Sequence, residues 1–195
     1  MEEKVWGIDY GSKMAGTTVV AYLEKNELKW LASEKKKDAD RMIIEAIASQ
    51  KPDLIAIDAP LSLPGVYTGI PDFNDYFYRV SDRETKAMSP MFLGGLTARA
   101  MKLKAQLPAV QFIEAYPVKT GKELGLQDLG FRTKEADQEQ ILNAISKLTG
   151  WSIDSANSAV SGHHIDATLA LLIAQRYLQN TANRMGHPEE GLIYY

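Results

Sequence analysis

Asp53-Leu54-Ile55-Ala56-Ile57-Asp58 is a near-continuous apolar run that begins and ends on a carboxylate and is stopped by Ala59-Pro60. A strand with one wet face alternates polar and apolar residues, whereas an unbroken run suits a strand covered on both faces, as in a parallel sheet flanked by helices. Upstream, about Asp38 to Gln50 carries Met42, Ile43, Ala46 and Ile47 on one helical stripe. The run is therefore reached by a helical crossover and lies parallel to a neighbour. The candidate neighbour is Val5-Trp6-Gly7-Ile8, a second short apolar run, stopped by Asp9-Tyr10-Gly11-Ser12.

Between these runs, Gly16 to Leu23 and Glu27 to Ser33 alternate with β-branched residues, and Asn26 sits in the short loop joining them. Three strands on short loops predict an antiparallel meander. Residues 61–93 are rich in Pro, Gly and aromatics, more than a simple connection needs, and read as a long functional loop with short helices. Helices are predicted over Leu96 to Leu107, about Glu135 to Leu148 and about His163 to Leu178; strands over Val110 to Glu114 and, as a last edge strand, Gly191 to Tyr194. The expected fold is α/β and ribonuclease H-like: a mixed five-stranded sheet, a three-strand meander plus parallel strands, with helices on both faces. One domain over residues 1–195 is expected, with an insertion at about 61–107 after the fourth strand.

The 195 residues are 45% hydrophobic and 24% charged, which excludes a disordered chain, and are too few for a duplicated nucleotide-clamping enzyme. There is no cysteine, hence no disulfide framework, thiolate nucleophile or Cys-ligated zinc. Met1-Glu2-Glu3-Lys4 does not open a secretory signal, and no apolar stretch approaches the ~20 residues that cross a bilayer. A cytoplasmic protein with no membrane partner is expected.

Asp9 and Asp58 each end an apolar strand. If those strands are parallel neighbours they lie about 4.8 Å apart and both carboxylates emerge at one edge. Two charges ~4 Å apart repel by about 4 kcal/mol at an effective dielectric near 20, which folding tolerates only with a proton or a cation between them. Oxygen-only ligation points to Mg²⁺ or Mn²⁺. Taken singly, Asp9 also suits an Asx-turn before Gly11, and Asp58 a cap on the Ala59-Pro60 turn. His163 and Asp166 share a helix face with Ala167 and Ala170, small residues that let the helix approach the sheet. An Asp in the first helical turn beside a surface His pair is the plainer reading of the same residues. Glu114 ends the strand Val110 to Ile113, where it either completes the acid cluster, supports it from behind, or is a plain strand-end Glu.

The net charge of −3 speaks against a protein that coats nucleic acid, but it is unevenly placed. Residues 79–104 hold six basic and two acidic side chains, +4, between segments of −4 and −3. A cationic, aromatic segment beside carboxylates suits a phosphate-backbone substrate. Arg79 and Arg83, flanking Asp82, are the phosphate candidates, whereas Arg99, Lys102 and Lys104 fit a solvated helix face. Thr120-Gly121-Lys122-Glu123 lacks the upstream Gly and the hydroxyl residue of a phosphate loop.

Asp9-Tyr10-Gly11 with Gly16, and Ile57-Asp58-Ala59-Pro60-Leu61-Ser62-Leu63-Pro64, resemble a widespread prokaryotic family of predicted ribonuclease H-fold nucleases. Arg79-Val80-Ser81-Asp82-Arg83-Glu84, Ile113-Glu114-Ala115-Tyr116-Pro117, His163-His164-Ile165-Asp166-Ala167 and Glu190-Gly191-Leu192-Ile193 continue the resemblance in order along nearly the whole chain. The acid layout is also similar to RuvC-type Holliday-junction resolvases, where acids on the first strand, the fourth strand and the last helix bind two divalent cations. That resemblance implies Asp9, Asp58 and Asp166 as metal ligands, His163 assisting at the metal or leaving group, DNA or RNA as substrate and, since such folds often pair, a homodimer. The chain departs from resolvases in carrying His163 where they have another acid. Two rival expectations stand beside a metal-dependent nuclease. One is nucleotide binding or phosphotransfer of the actin and sugar-kinase type, suggested by Asp9 to Thr17; the other is a non-catalytic binding or regulatory module.

Overall fold

The computed structural model describes residues 3–153 and 160–195. Val5–Asp9 (β1), Val19–Glu24 (β2) and Glu27–Ala32 (β3) form an antiparallel meander. Lys25 and Asn26 alone connect β2 to β3, both with left-handed φ (50° and 66°), as a tight type I′ hairpin requires. Ala39–Gln50 (α1) starts at Asp38, whose carboxylate accepts from the backbone N–H groups of Asp40 and Arg41. It crosses to Leu54–Asp58 (β4), which pairs parallel to β1 with Asp9 opposite Asp58.

The insertion holds a 3-10 turn at Gly65–Thr68, then Val80–Thr85 (α2), Pro90–Leu93 (α3) and Gly95–Gln106 (α4). Gln111–Ala115 (β5) pairs parallel to β4. Pro117–Glu123 (α5), Gln138–Thr149 (α6), Ser152–Ile153 (β6), Gly162–Leu178 (α7), Arg184–His187 (β7) and Gly191–Tyr194 (β8) complete the described residues. No helix among them is long and apolar enough to cross a membrane.

The sheet runs β6-β3-β2-β1-β4-β5-β8-β7: a mixed sheet of eight strands, not the five expected. The central order and directions follow the sequence reading; the extra strands lie outside it. β6 has only two residues, too short to show a period, and Arg184–His187 shows no alternation. β8 was expected at the edge but is interior, between β5 and β7.

Alternation along the strands divides the core. Trp6, Ile8, Ile55, Ile57 and Phe112 pack on one face with Ile43 and Ile47 of α1 and Ala100 and Leu103 of α4. Leu54, Ala56, Ile113 and Ala115 face Ala170, Ile173 and Ala174 of α7 on the other. α7 is covered almost all round, with every residue from Ile165 to Leu171 buried. The close approach depends on Gly7. A Cβ there would lie 2.0 Å from the Leu171 nitrogen and 2.3 Å from the Ala167 oxygen, so only glycine lets α7 lie directly on β1.

Candidate active site

Asp9 and Asp58 have the parity of Val5, Gly7, Leu54 and Ala56, so both side chains leave the sheet on the face that α7 covers. The contact of α7 with β1 at Gly7 sets the first turn of that helix over the same edge. It delivers His163, whose Nδ1 is 2.6 Å from Asp9 Oδ2, and Asp166, 6% exposed. His164, one residue on, turns the other way: it bonds Ser161 in a capping arrangement and meets the edge of Trp30. The structure thus brings Asp9, Asp58, Asp166 and His163 to one end of the sheet.

Their electrostatics are unbalanced. Burial pushes the Asp58 carboxyl well above the ordinary carboxylate range, and the charges of Asp166 and Asp9 push it further. Burial also raises Asp166 to about 7, while Arg132 pulls the other way. The hydrogen bond to Asp9 lifts the His163 imidazole above its ordinary value. Arg132, which the sequence reading did not single out, donates from Nη2 to Asp166 Oδ1 at 2.8 Å. One imidazole and one guanidinium therefore stand among three carboxyl groups. Among the described residues, no three His, Asp or Glu side chains are gathered closely enough to hold a metal ion as they stand. Asp9 and Asp166 are each turned to an internal partner.

Three expectations are corrected. Glu114 is not a member of the cluster. It pairs with Ile57 and shares the face of Phe112, so its side chain leaves the sheet opposite to Asp58. Arg79 does not face substrate: it is 0% exposed, bridging Glu114 through Nη1 and Nη2 (2.7 Å each) and Asp82 through Nε and Nη2 (3.1 and 2.6 Å). Asp82 is 1% exposed and serves that ion pair, also accepting from the Arg79 N–H. A sequence shows an Arg at i and an Asp at i+3, but not the distant Glu that claims the Arg. Arg83 is exposed, ion-paired with Asp75 at 2.8 Å and lying 3.7 Å over the Tyr78 ring.

The buried network supports the turn after β4. Glu114 accepts from the Leu61 N–H and Arg79 donates to Ser62 Oγ. Glu190, 3% exposed, accepts from the N–H groups of Gly65 and Val80, tying the insertion to the last hairpin. On the same face, away from the acids, a second network steadies the loop after Asp9. Tyr10 Oη donates to Asp40 at 2.6 Å, and Arg99 donates to Asp40 and to the Gly11 carbonyl. Arg99 was expected on a solvated helix face and is instead part of this lock.

A cavity of about 420 Å³ lies on the α1 and α4 face, lined by Lys13, Asp38, Asp40, Arg41, Arg99 and Lys102, away from the acids. A smaller one, about 130 Å³, opens beside Asp58, Pro60, Met88 and Tyr116. Of the three clustered acids Asp58 alone lines the second, which it shares with Glu114.

No family model matches the chain. No curated protein matches it. Among solved structures it is similar to T. thermophilus RuvC in complex with a Holliday junction substrate, at 15% identity and a TM-score of 0.43, over 94% of this chain and 98% of that one.

Proposed function

We propose that this chain is a divalent-cation-dependent phosphodiesterase acting on nucleic acid, with Asp9, Asp58 and Asp166 as ligands of Mg²⁺ or Mn²⁺. One observation carries the reading: Asp9 and Asp58 occupy the same level of adjacent parallel strands, and α7 brings Asp166 onto the same face. The central order β3-β2-β1-β4-β5 is the ribonuclease H-like order and supports it. The donor set fits a hard divalent ion. It is all oxygen, and its carboxyls raise one another's proton affinity, which a cation relieves. Bound there, the ion supplies an activated water and stabilises charge developing on phosphorus.

The protein's own groups divide the remaining work. His163 is fixed through Nδ1 on Asp9, so Nε2 is the nitrogen that exchanges a proton with the leaving oxygen. Arg83, an exposed cation of the insertion paired with Asp75, meets a neighbouring phosphate. The Arg79–Glu114–Asp82 ion network holds the Asp58-Ala59-Pro60 turn without touching substrate.

Cleavage assays on single-stranded, duplex and branched DNA and RNA in Mn²⁺ and Mg²⁺ test this reading. At least one substrate is expected to be cut, and Asp9→Asn or Asp58→Asn to abolish cutting. An intact, folded protein that cleaves none of them refutes the activity; full activity in Asp9→Asn refutes the site.

A further inference from the structure

Arg132 enters the acid edge from the loop between α5 and α6, and its placement there is constructed. Phe131, 7% exposed, seats its ring against Gly121, where a Cβ would lie 2.4 Å from Phe131 Cε1. The Phe131 N–H donates to the Leu126 carbonyl and the Thr133 N–H to that of Gly130, closing the turn. Gly130 and Arg132, on either side of Phe131, both take left-handed φ, 76° and 70°. For a non-glycine residue that backbone is uncommon, and among the described residues Arg132 shares it with seven others, Lys36, Lys51 and Lys86 among them. The result is a guanidinium aimed at Asp166.

The two buried-acid arginines differ in how fully they are used. Arg79 engages all three of its nitrogens and is fully covered. Among the described residues Arg132 makes one hydrogen bond, Nη2 to Asp166 Oδ1, with 45% of its side chain exposed. Its direct contact with the cluster is Asp166, its guanidinium lies 5.3 Å from the Phe131 ring, and its charge opposes the burial that raises Asp58 and Tyr116. A planar fork with donors to spare, at the open side of a carboxylate site, matches the oxygens of a phosphate diester.

We propose that Arg132 is the phosphate-binding residue of this site, held on Asp166 as a placeholder until a divalent cation takes that carboxylate. The inference rests on the cation reading of Asp9, Asp58 and Asp166 and extends it to a residue that reading does not use. With a cation on Asp166, the double charge outcompetes the single one for the carboxylate. The long, half-exposed side chain is then released at the mouth of the site, where the substrate phosphate arrives.

Calorimetric titration of Mn²⁺ into the full chain, without nucleic acid, tests the placeholder. Arg132→Ala is expected to bind Mn²⁺ about threefold to tenfold more tightly than the parent, because a competing positive charge is gone. Arg132→Lys, which keeps the charge, is expected to stay near the parent. Fluorescence anisotropy of labelled DNA and RNA oligonucleotides with Ca²⁺ as the divalent ion, over a salt series, tests the phosphate contact. Arg132→Ala is expected to bind about fivefold to twentyfold more weakly, with the salt slope reduced by about one, and Arg132→Lys to recover part of the loss. Unchanged or weaker Mn²⁺ affinity in Arg132→Ala overturns the placeholder, and unchanged oligonucleotide affinity and slope overturn the phosphate role. If Mn²⁺ binds neither parent nor variant, the carboxylate reading falls as well; equal Mn²⁺ binding to both sinks the Arg132 inference alone.

Discussion

Asp166→Asn is expected to make the cation-free protein more stable while removing its response to divalent ions. Asp166 is 6% exposed between fully buried Ile165 and Ala167, and burial moves its carboxyl from the ordinary 3.8 to about 7. The unfolded chain ionises this group freely; the folded chain binds a proton or carries a buried charge. The folded state therefore holds more protons between pH 4 and 7, and stability falls as pH rises through that window. A displacement of about three units corresponds to roughly 4 kcal/mol at pH 7 and above, about 1.5 kcal/mol at pH 5, and nothing below pH 3.8. Asn has the same shape and no charge to bury. Arg132 keeps a neutral Oδ1 acceptor but loses the charge of its partner; at 45% exposed, that loss is about 1 kcal/mol or less. The net gain is about 2–3 kcal/mol near pH 7.5, or roughly 5–10 °C in Tm for a chain of this size. Circular-dichroism melts in EDTA at pH 4, 5, 6 and 7.5, repeated in millimolar Mn²⁺, measure it. A difference from the parent that is the same at pH 4 and 7.5, or a variant less stable throughout, refutes the argument and makes Asp166 a structural partner of Arg132. Stabilisation by Mn²⁺ equal to that of the parent removes Asp166 from the ligand set.

Gly7→Ala places a Cβ 2.0 Å from the backbone of α7, which cannot yield as a side-chain tip would. A loss of about 3 kcal/mol or more in urea unfolding is expected, with the Mn²⁺ response lost in whatever protein still folds; a loss below 1 kcal/mol contradicts the close approach. Arg79→Ala strands Glu114 and Asp82 in the interior and is expected to cost about 3–5 kcal/mol, read as a fall in the urea midpoint. A near-neutral result there returns Arg79 to the substrate-binding residues. Tyr10→Phe removes the 2.6 Å bond to Asp40 on the far face, with about 1 kcal/mol of stability and no change in Mn²⁺ binding expected; altered Mn²⁺ affinity couples the two faces.

The part of the fold that positions the acids was legible because it is made of long-period signals. Apolar runs ending in Asp9 and Asp58, joined by a helical crossover, leave few ways to pair, and the pairing fixes the acid edge. The small face of α7 was legible at Ala167 and Ala170, but its counterpart, Gly7, reads in sequence as one more residue of an apolar strand. Of the readings open for Glu114, membership of the cluster fails on parity, while support from behind agrees with its bond to the Leu61 N–H. One residue along β5 in either direction would have faced the acids, and a strand end gives no sign of which side is which. Arg132 was invisible because its position depends on an irregular loop with two left-handed residues, for which there is no period to find. Arg99 misled in the opposite sense. A basic helix stripe looks solvated until Asp40 and the Gly11 carbonyl, from two other elements, are placed against it.

The protein holds two sets of sheltered acids, and what separates them is satisfaction rather than burial. Glu114 and Asp82 share one arginine whose nitrogens are all engaged, and Glu114 also receives a backbone N–H; burial raises the Glu114 carboxyl too, but each carboxylate there is in direct contact with the guanidinium. Such a set has no use for a ligand, and changing it removes stability alone. Asp58 has a raised proton affinity with no cation of its own in contact, and Asp166 shares a half-exposed arginine that bears on its neighbours as well. Folding that brings three carboxyls to one edge with one half-exposed guanidinium and one imidazole leaves the site short of positive charge, since the strand register and the Gly7 contact fix the acids regardless of what neutralises them. On the proposed reading a divalent cation supplies that charge, so its effect on melting separates a working site from a relic of the fold more directly than any single substitution.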